Sequence, residues 1–538
     1  MKSASAAPPF DFLITARRLA AKLRVEARTP SERLDLCRRL LSTASRDARF
    51  RHLAQHLTSL NIDERHYWVG TFYTLLLTPD QRRSQAAYFT PPHLSQEIIA
   101  LVRKHGFDPM NHKVLDPAAG GAAFLSTIAA SMREAGAPPK QAASRLTGIE
   151  LDPGLAKLSE ILIAERLGCT LEHGEIVKKG DALNLPHSRK HDLVVANPPY
   201  GRLSLSGQAD DAWKDVCHPG HINKYALFTK RCFQLARDRA LVALVIPSSF
   251  VAGPLYDRLR KYIREHGEVL CLASVVNRDD VFVDVAQDVC VLLARAGAAH
   301  RTAFQVAYGH FSDEAHFKHI TSFSLPKTPG DPWSPPHTPA GLARGGATLL
   351  DYGVTLRSGY FVWNREQQRM KTRRDDEMDV PLIWARNIVS GKLCRPHARK
   401  RHGVDYVAFE QESEAIVREP AIVLQRTTNS AQPRRLIAAR VSDEVYQRWG
   451  GFVSENHTIV ATSDGSRKLT LVCRLLNSKS VDARYRQLSG TASVSVTLLR
   501  TLDLPDPDIL ERETAKTYDF EQAVAIAYQK SNKMMVAA

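Results

Sequence analysis

Between residues 110 and 295 short apolar runs alternate with stretches of helical periodicity, and that alternation most narrows the folds open to this 538-residue chain. Strand, helix and strand in succession demand a mostly parallel sheet with helices on both faces. The runs are Lys113-Val-Leu-Asp116, Leu146-Thr-Gly-Ile-Glu150, Val194-Val195-Ala196, Ala240-Leu-Val-Ala-Leu-Val-Ile-Pro247 and Val289-Cys-Val-Leu-Leu293. The first two end in a carboxylate. In an open α/β sheet a carboxylate there faces the ligand crevice, and Glu150 is placed to accept two ribose hydroxyls.

The third run leads into Asn197-Pro198-Pro199-Tyr200. Asn197 offers a side-chain carbonyl oxygen, and each proline lacks an N–H while keeping its C=O, so the turn is rigid and rich in acceptors. Tyr200 adds a flat face on which a base can stack. Such a grouping suits chemistry on a planar amine, although a bare Asn-Pro-Pro is equally an ordinary strand-terminating turn.

The flanking segments decide between these readings. After Asp116, the small residues of Pro117-Ala118-Ala119-Gly120-Gly121-Ala122-Ala123 let backbone approach a ligand just where a helix begins. Asp181, in Lys179-Gly180-Asp181, precedes the Asn197 strand and can accept from an adenine amine. Each acid alone reads as a loop residue or helix cap; in this order they form a specific series.

The series Tyr88-Phe89-Thr90-Pro91-Pro92, Asp116-Pro117-Ala118-x-Gly120, Glu150, Asp181 and Asn197-Pro198-Pro199-Tyr200 resembles the gamma-order N6-adenine DNA methyltransferases of restriction-modification systems. The resemblance continues through Asn223-Lys224-Tyr225-Ala226-Leu227-Phe228 and covers about residues 86 to 295. It implies a Rossmann-like S-adenosylmethionine-dependent methyltransferase sheet, with Thr90, Asp116, Ala118, Gly120, Glu150 and Asp181 lining the cofactor pocket. It further implies that Asn197 and the Pro198 carbonyl, within the catalytic Asn197-Pro198-Pro199-Tyr200 turn, bind the target amine. Tyr200 and Phe282 would sandwich the base. One position departs from the pattern: the usual second glycine is Ala122, tolerable if its φ is negative.

The chemistry follows from these groups. Adenine N6 is a poor nucleophile because its lone pair is delocalised into the ring. Two fixed acceptors, Asn197 Oδ1 and the Pro198 C=O, can take the N6 hydrogens and stabilise charge developing on nitrogen. The base must leave the duplex stack to reach them.

Composition agrees with a nucleic-acid enzyme. Lys and Arg total 73 against 57 Asp and Glu, a formal net charge of +16 suited to a polyanionic partner. The basic run containing Arg395, Arg399, Lys400 and Arg401, together with Arg426, Arg434 and Arg435, supplies the expected DNA contacts. The 8 cysteines are scattered without a CxxC, the histidines show no metal-ligand spacing, and no apolar stretch of about 18 residues exists to span a bilayer. A cytoplasmic chain with no metal and no membrane partner is the expectation.

The organisation expected is a helical N-terminal segment (1–85), a methyltransferase catalytic domain (86–321), a Pro/Gly-rich linker (322–347) and a mixed α+β target-recognition domain (348–538). Expected partners are double-stranded DNA and a restriction endonuclease encoded separately, with the chain acting as a monomer. Other readings stay open at this stage. A protein-glutamine or RNA N-methyltransferase could use the same turn, N4-cytosine is chemically allowed, and the chain could be a DNA specificity component with a vestigial core.

Overall fold

The computed structural model describes residues 10–42, 47–78, 81–82, 89–186, 188, 190–203, 213–275, 289–297, 305–311, 317–333, 345–394, 405–410, 412–426, 434–463, 466–488, 494–500 and 502–537. They divide into two compact units, the first running to Pro335 apart from Ala252–Pro254, and the second from Pro336 onward.

The first unit is built on a nine-stranded sheet, with β1 at Val114–Asp116, β2 at Leu146–Glu150, β3 at Val177–Lys179, β4 at His191–Ala196, β5 at Ala236–Pro247, β6 at Gly267–Val275, β7 at Val289–Ala296, β8 at Gln305–Phe311 and β9 at Phe317–Ser324. Their spatial order is β3-β2-β1-β4-β5-β7-β6-β8-β9. β1 to β5 pair in parallel, while β7 is antiparallel to both β5 and β6. Period-two alternation explains why the apolar runs are nearly continuous. Leu193 and Val195 of β4, with Leu241, Ala243 and Val245 of β5, pack in the core on one face. Val194, Ala196, Val242, Leu244 and Ile246 fill the other. A strand buried on both faces has no position for a polar residue until it leaves the sheet.

The strand order reverses direction at β1, whose neighbours are β2 on one side and β4 on the other. Pairing of Val114 with Leu193 and Leu115 with Val194 brings the carboxyl ends of β1 and β4 together. Crossovers from these two strands leave in opposite directions, so a crevice opens beyond Asp116 and Asn197.

Helices Phe10–Leu23, Pro30–Leu41, Arg51–Ser59 and Ile62–Leu75 share one apolar cluster with Leu155, Leu158 and Leu162 of the helix Pro153–Leu167 that follows β2. Polar contacts lock this seam. Asp152 caps the helix by accepting from the Gly154 and Leu155 N–H groups, and it also accepts from the Tyr73 hydroxyl at 2.6 Å and pairs with Arg33 at 2.9 Å. Gly154 lies so close to the Pro30 carbonyl and the Tyr73 hydroxyl that a Cβ would overlap both. Gly154→Ala should therefore push the N-terminal helices off the helix Pro153–Leu167 and lower stability by about 1–3 kcal/mol, read as a fall in the chemical-denaturation midpoint.

The proline-rich stretch 322–347 is only partly a connection. β9 reaches Ser324, and Trp333 is completely buried against Phe250 in the first unit, its backbone N–H bonded to the Val251 carbonyl. Ala347 exchanges backbone hydrogen bonds with Leu504 inside the second unit. The expected linker is thus shorter at both ends, because an apolar indole and a strand bridge fold into the flanking units. Residues 334–344 lie outside the described residues.

In the second unit, strands Thr355–Ser358, Thr458–Thr462, Ala421–Gln425 and Ala438–Arg440 form a four-stranded antiparallel sheet in that order. One face, with Leu356, Ile422, Leu424 and Ile459, packs against the C-terminal helices, among them Ser466–Leu476, Lys479–Leu488 and Phe520–Ala537. A five-stranded sheet that includes Asp379–Ile383 and Phe452–Ser454 completes the mixed α+β architecture.

Candidate active site

A cavity of about 670 Å³ opens at the carboxyl ends of β1, β2 and β4, within the size range of small-ligand sites. Of the residues expected to hold a cofactor, Thr90, Asp116, Ala118, Gly120, Glu150 and Asp181 all line it, and Asn197 and Pro199 line the same space. Pro198 is buried and does not.

Asp116 ends β1 almost fully buried, accepting the Ala118 N–H at 2.9 Å. Burial pushes its carboxyl up to about 7, opposed by the Ala118 N–H and reinforced by the charge of Glu150. Burial also raises Glu150, against hydrogen bonds from the Asp152 and Gly120 N–H groups, each 2.9 Å long, one to each carboxylate oxygen. Each oxygen keeps a second lone pair for a ligand hydroxyl. Asp181 is exposed and caps a 3-10 turn through the Leu183 N–H and the Asn184 side chain.

The glycine loop is small for two reasons. A Cβ at Gly120, Gly121 or Gly70 would meet the Phe89 ring at 2.9, 3.2 and 3.3 Å respectively, so this ring lies across all three. Gly120 also takes φ +51°, where its N–H reaches Glu150. Ala122 does not meet the condition set from sequence. Its φ is +61°, left-handed, immediately before the helix Ala123–Glu134. The position usually filled by glycine here does require a positive φ, and the alanine carries a cost of about 1–2 kcal/mol.

Asn197 is held at both ends of its amide. Its Nδ2 donates to Thr90 Oγ1 at 3.2 Å, and its Oδ1 accepts the Tyr200 hydroxyl at 2.7 Å. That second bond alters the part expected of Tyr200. The ring is off the cavity wall, edge-on to Tyr225 and packed against both cores, and its hydroxyl also lies 3.1 Å from the Val245 carbonyl. Burial raises its phenol well above the usual range. In this conformation the ring is not offered as a stacking surface. It holds the Asn197 amide oxygen, and a base could stack on it only if the ring turned outward. Phe282 lies outside the described residues.

The N-terminal helical segment contributes a wall that sequence reasoning did not place at the site: Arg28, Pro30, Arg33, Tyr73, Leu77 and Gln81 line the cavity. No local motif marks them, because only the docking of Asp152 brings them there. Lys224 and Phe228 line it as well, both within the Asn223–Phe228 motif.

The expected DNA contacts fare differently. Arg395, Arg399, Lys400 and Arg401 lie outside the described residues. Arg435 is 8% exposed, and the backbone N–H groups of Arg435 and Leu436 bond Asp482. The half-buried Arg434 donates to the Asn477 carbonyl. The Arg434 guanidinium fastens the second unit internally, whereas Arg435 is tied in through its backbone with its side chain nearly buried. The sequence could not separate the alternatives, since a guanidinium satisfies carbonyls as readily as phosphates. Arg426 is half-buried, its guanidinium on the Asn456 carbonyl at 3.2 Å.

Three carboxylates along a concave site, a glycine-bearing strand-to-helix loop and this strand order make the first unit a Rossmann-like α/β domain with a nucleoside-sized crevice. Residues 66–316 match the family model described as N-6 DNA Methylase. It is 21% identical over 354 residues to the type II methyltransferase M.PstI of Providencia stuartii, covering 62% of this chain and 68% of that one. A 103-residue stretch is 30% identical to a putative type II restriction enzyme and methyltransferase of Methanocaldococcus jannaschii, covering 19% of this chain and 8% of that protein. Among solved structures, the DrdV–DNA complex superposes with a TM-score of 0.46 at 12% identity, covering 91% of this chain and 68% of that one.

The donor set fits S-adenosylmethionine. Carboxylates at Glu150 and Asp181 suit the ribose hydroxyls and the adenine amine, and Asp116 suits a cationic group beside the loop. Among the described residues no cluster of His, Cys, Asp and Glu could hold a metal ion, and no helix is long and apolar enough to cross a membrane.

Proposed function

We propose that this chain is a site-specific DNA adenine N6-methyltransferase, the modification enzyme of a restriction-modification or related defence system. The observation that carries the reading is the single cavity joining Asn197 to Asp116, Glu150 and Asp181. Bound S-adenosylmethionine would supply an electrophilic methyl carbon. The chain's own groups do the rest. Glu150 and Asp181 fix the nucleoside end of the cofactor, and the loop at Gly120 and Gly121 brings backbone close to its amino-acid end. Asn197 Oδ1, once released by the Tyr200 hydroxyl, accepts one N6 hydrogen of an extruded adenine, and the Pro198 carbonyl accepts the other once the same movement of Tyr200 uncovers it. The two acceptors would draw N6 toward tetrahedral geometry and stabilise the positive charge growing on it while the methyl carbon exchanges its bond to sulfur for one to nitrogen, the sulfonium leaving as a neutral thioether and one N6 proton passing to solvent. Outward rotation of Tyr200 would free the acceptor and present the ring to the base in one motion, offsetting part of the unpairing cost.

On this reading the chain works beside a restriction endonuclease encoded separately, as a monomer in the cytoplasm; the resemblance to a type II methyltransferase supports the modification role. Incubation with methyl-labelled S-adenosylmethionine and unmethylated genomic DNA should place the label in N6-methyladenine within one short sequence context. Label recovered in protein, RNA or N4-methylcytosine would replace this reading with the corresponding alternative.

A further inference from the structure

The second unit carries a compact face that none of the residues expected to bind DNA predicts. After Thr355–Ser358 the chain turns through Gly359 and runs beside Ser454–Thr458. The Gly359 N–H bonds the Thr458 carbonyl, Phe361 bonds Ser454, and the Asn456 N–H bonds the Phe361 carbonyl. The Arg426 N–H bonds the His457 carbonyl at 2.8 Å. Three segments distant in sequence therefore meet along one edge.

What they expose there is unusual. Tyr360 is 56% and Trp363 43% exposed, and the Tyr360 ring is steadied edge-on against Phe409. Arg357 and Arg365 are exposed beside them, and residues 357–365 contain no acid. Arg365 has no acidic partner among the described residues. His457 is half exposed while Glu455, 2% exposed, lies beneath it. One Glu455 oxygen accepts the His457 backbone N–H at 3.0 Å and the other is 2.5 Å from its Nδ1. With Nδ1 turned inward onto a buried carboxylate, Nε2 on the opposite side of the ring is aimed at solvent.

We propose that Tyr360, Trp363, Arg365 and His457 form a double-stranded DNA contact face. Rigid aromatics lie against sugar or base there, and a cation and an oriented imidazole nitrogen meet phosphate or a base edge. The proposal rests on the DNA-methyltransferase reading above and gives it its recognition surface. Two features favour duplex DNA over a protein partner. The exposed charges of residues 357–365 are all positive, and flat rings set beside cations suit the sugars and groove edges between the phosphates of a duplex. The Glu455 carboxylate would serve as a splint, fixing one imidazole orientation before DNA arrives.

The test uses the full chain and fluorescence anisotropy, with sheared unmethylated genomic DNA as probe over a range of salt concentrations. Trp363→Ala, Arg365→Gln and His457→Asn should each weaken binding about threefold to tenfold. Arg365→Gln should also lower the slope of log affinity against log salt by about one. His457→Asn keeps an amide N–H for Glu455 and deletes only the outward nitrogen, so an unchanged melting temperature with weakened DNA binding separates contact from folding. S-adenosylmethionine affinity should match that of the unmodified chain in all three. If all three variants bind DNA with the parent affinity and salt slope while the parent methylates it, the face is refuted and the enzyme assignment stands. A parent that neither binds nor methylates DNA overturns both.

Discussion

Asn197→Ala should fold, bind S-adenosylmethionine with nearly unchanged affinity, and transfer methyl groups to DNA at least about 10²–10³-fold more slowly, the scale for removing one preorganised hydrogen-bonding group. The structural cost is small because both partners of the amide have other recourse. Tyr200 retains the Val245 carbonyl at 3.1 Å, and the carboxylates expected to grip the cofactor hang from other strands. Asn197→Asp tests the chemistry more narrowly. It keeps an acceptor at the same place, loses the Nδ2 donor to Thr90, and should retain more activity than the alanine variant. Single-turnover methyl transfer at saturating cofactor, with cofactor affinity measured by calorimetry, checks both. An alanine variant that transfers at the parent rate would remove Asn197 from the reaction.

Much of this site was legible because its groups sit where strands leave the sheet. β1, β2 and β4 are buried on both faces, so an acid or amide following an unbroken apolar run marks the crevice edge, and Asp116, Glu150 and Asn197 all fall on the cavity wall. What escaped was everything set by contacts between distant segments. Arg33 and Tyr73 reach the cavity only because Asp152 fastens them there. Tyr200 turns inward because Asn197 and Val245 offer it acceptors, and Arg435 is drawn inside where its own backbone and that of Leu436 meet Asp482. In each case the residue type was right for the proposed role and equally right for the observed one; only the partner decides. The sign of φ at Ala122 belongs with these, since it follows from how the loop enters its helix, not from the residue itself.

The largest stability effect should come from Asp116→Asn. A buried carboxyl held near 7, against 3.8 in an unfolded chain, makes the native state resist ionisation. Below about pH 4 the group is protonated in both states and carries no penalty. As pH rises from about 4 to about 7 the unfolded chain loses this proton first, so native stability falls, by up to about 4 kcal/mol, and stays reduced above pH 7. Asparagine cannot ionise. The cofactor-free variant should therefore be more stable than the parent at about pH 8 and no more stable at about pH 4, with the gap opening between them. Cofactor affinity should move oppositely. A cationic ligand favours ionised Asp116, so in the parent the affinity for S-adenosylmethionine should climb as pH approaches about 7 and then level, while Asp116→Asn binds more weakly with that dependence reduced. Thermal unfolding with and without S-adenosylmethionine across this range separates the two effects. Parallel stability curves for parent and variant would mean that Asp116 is ionised in the native protein throughout, with its charge already compensated inside the cavity.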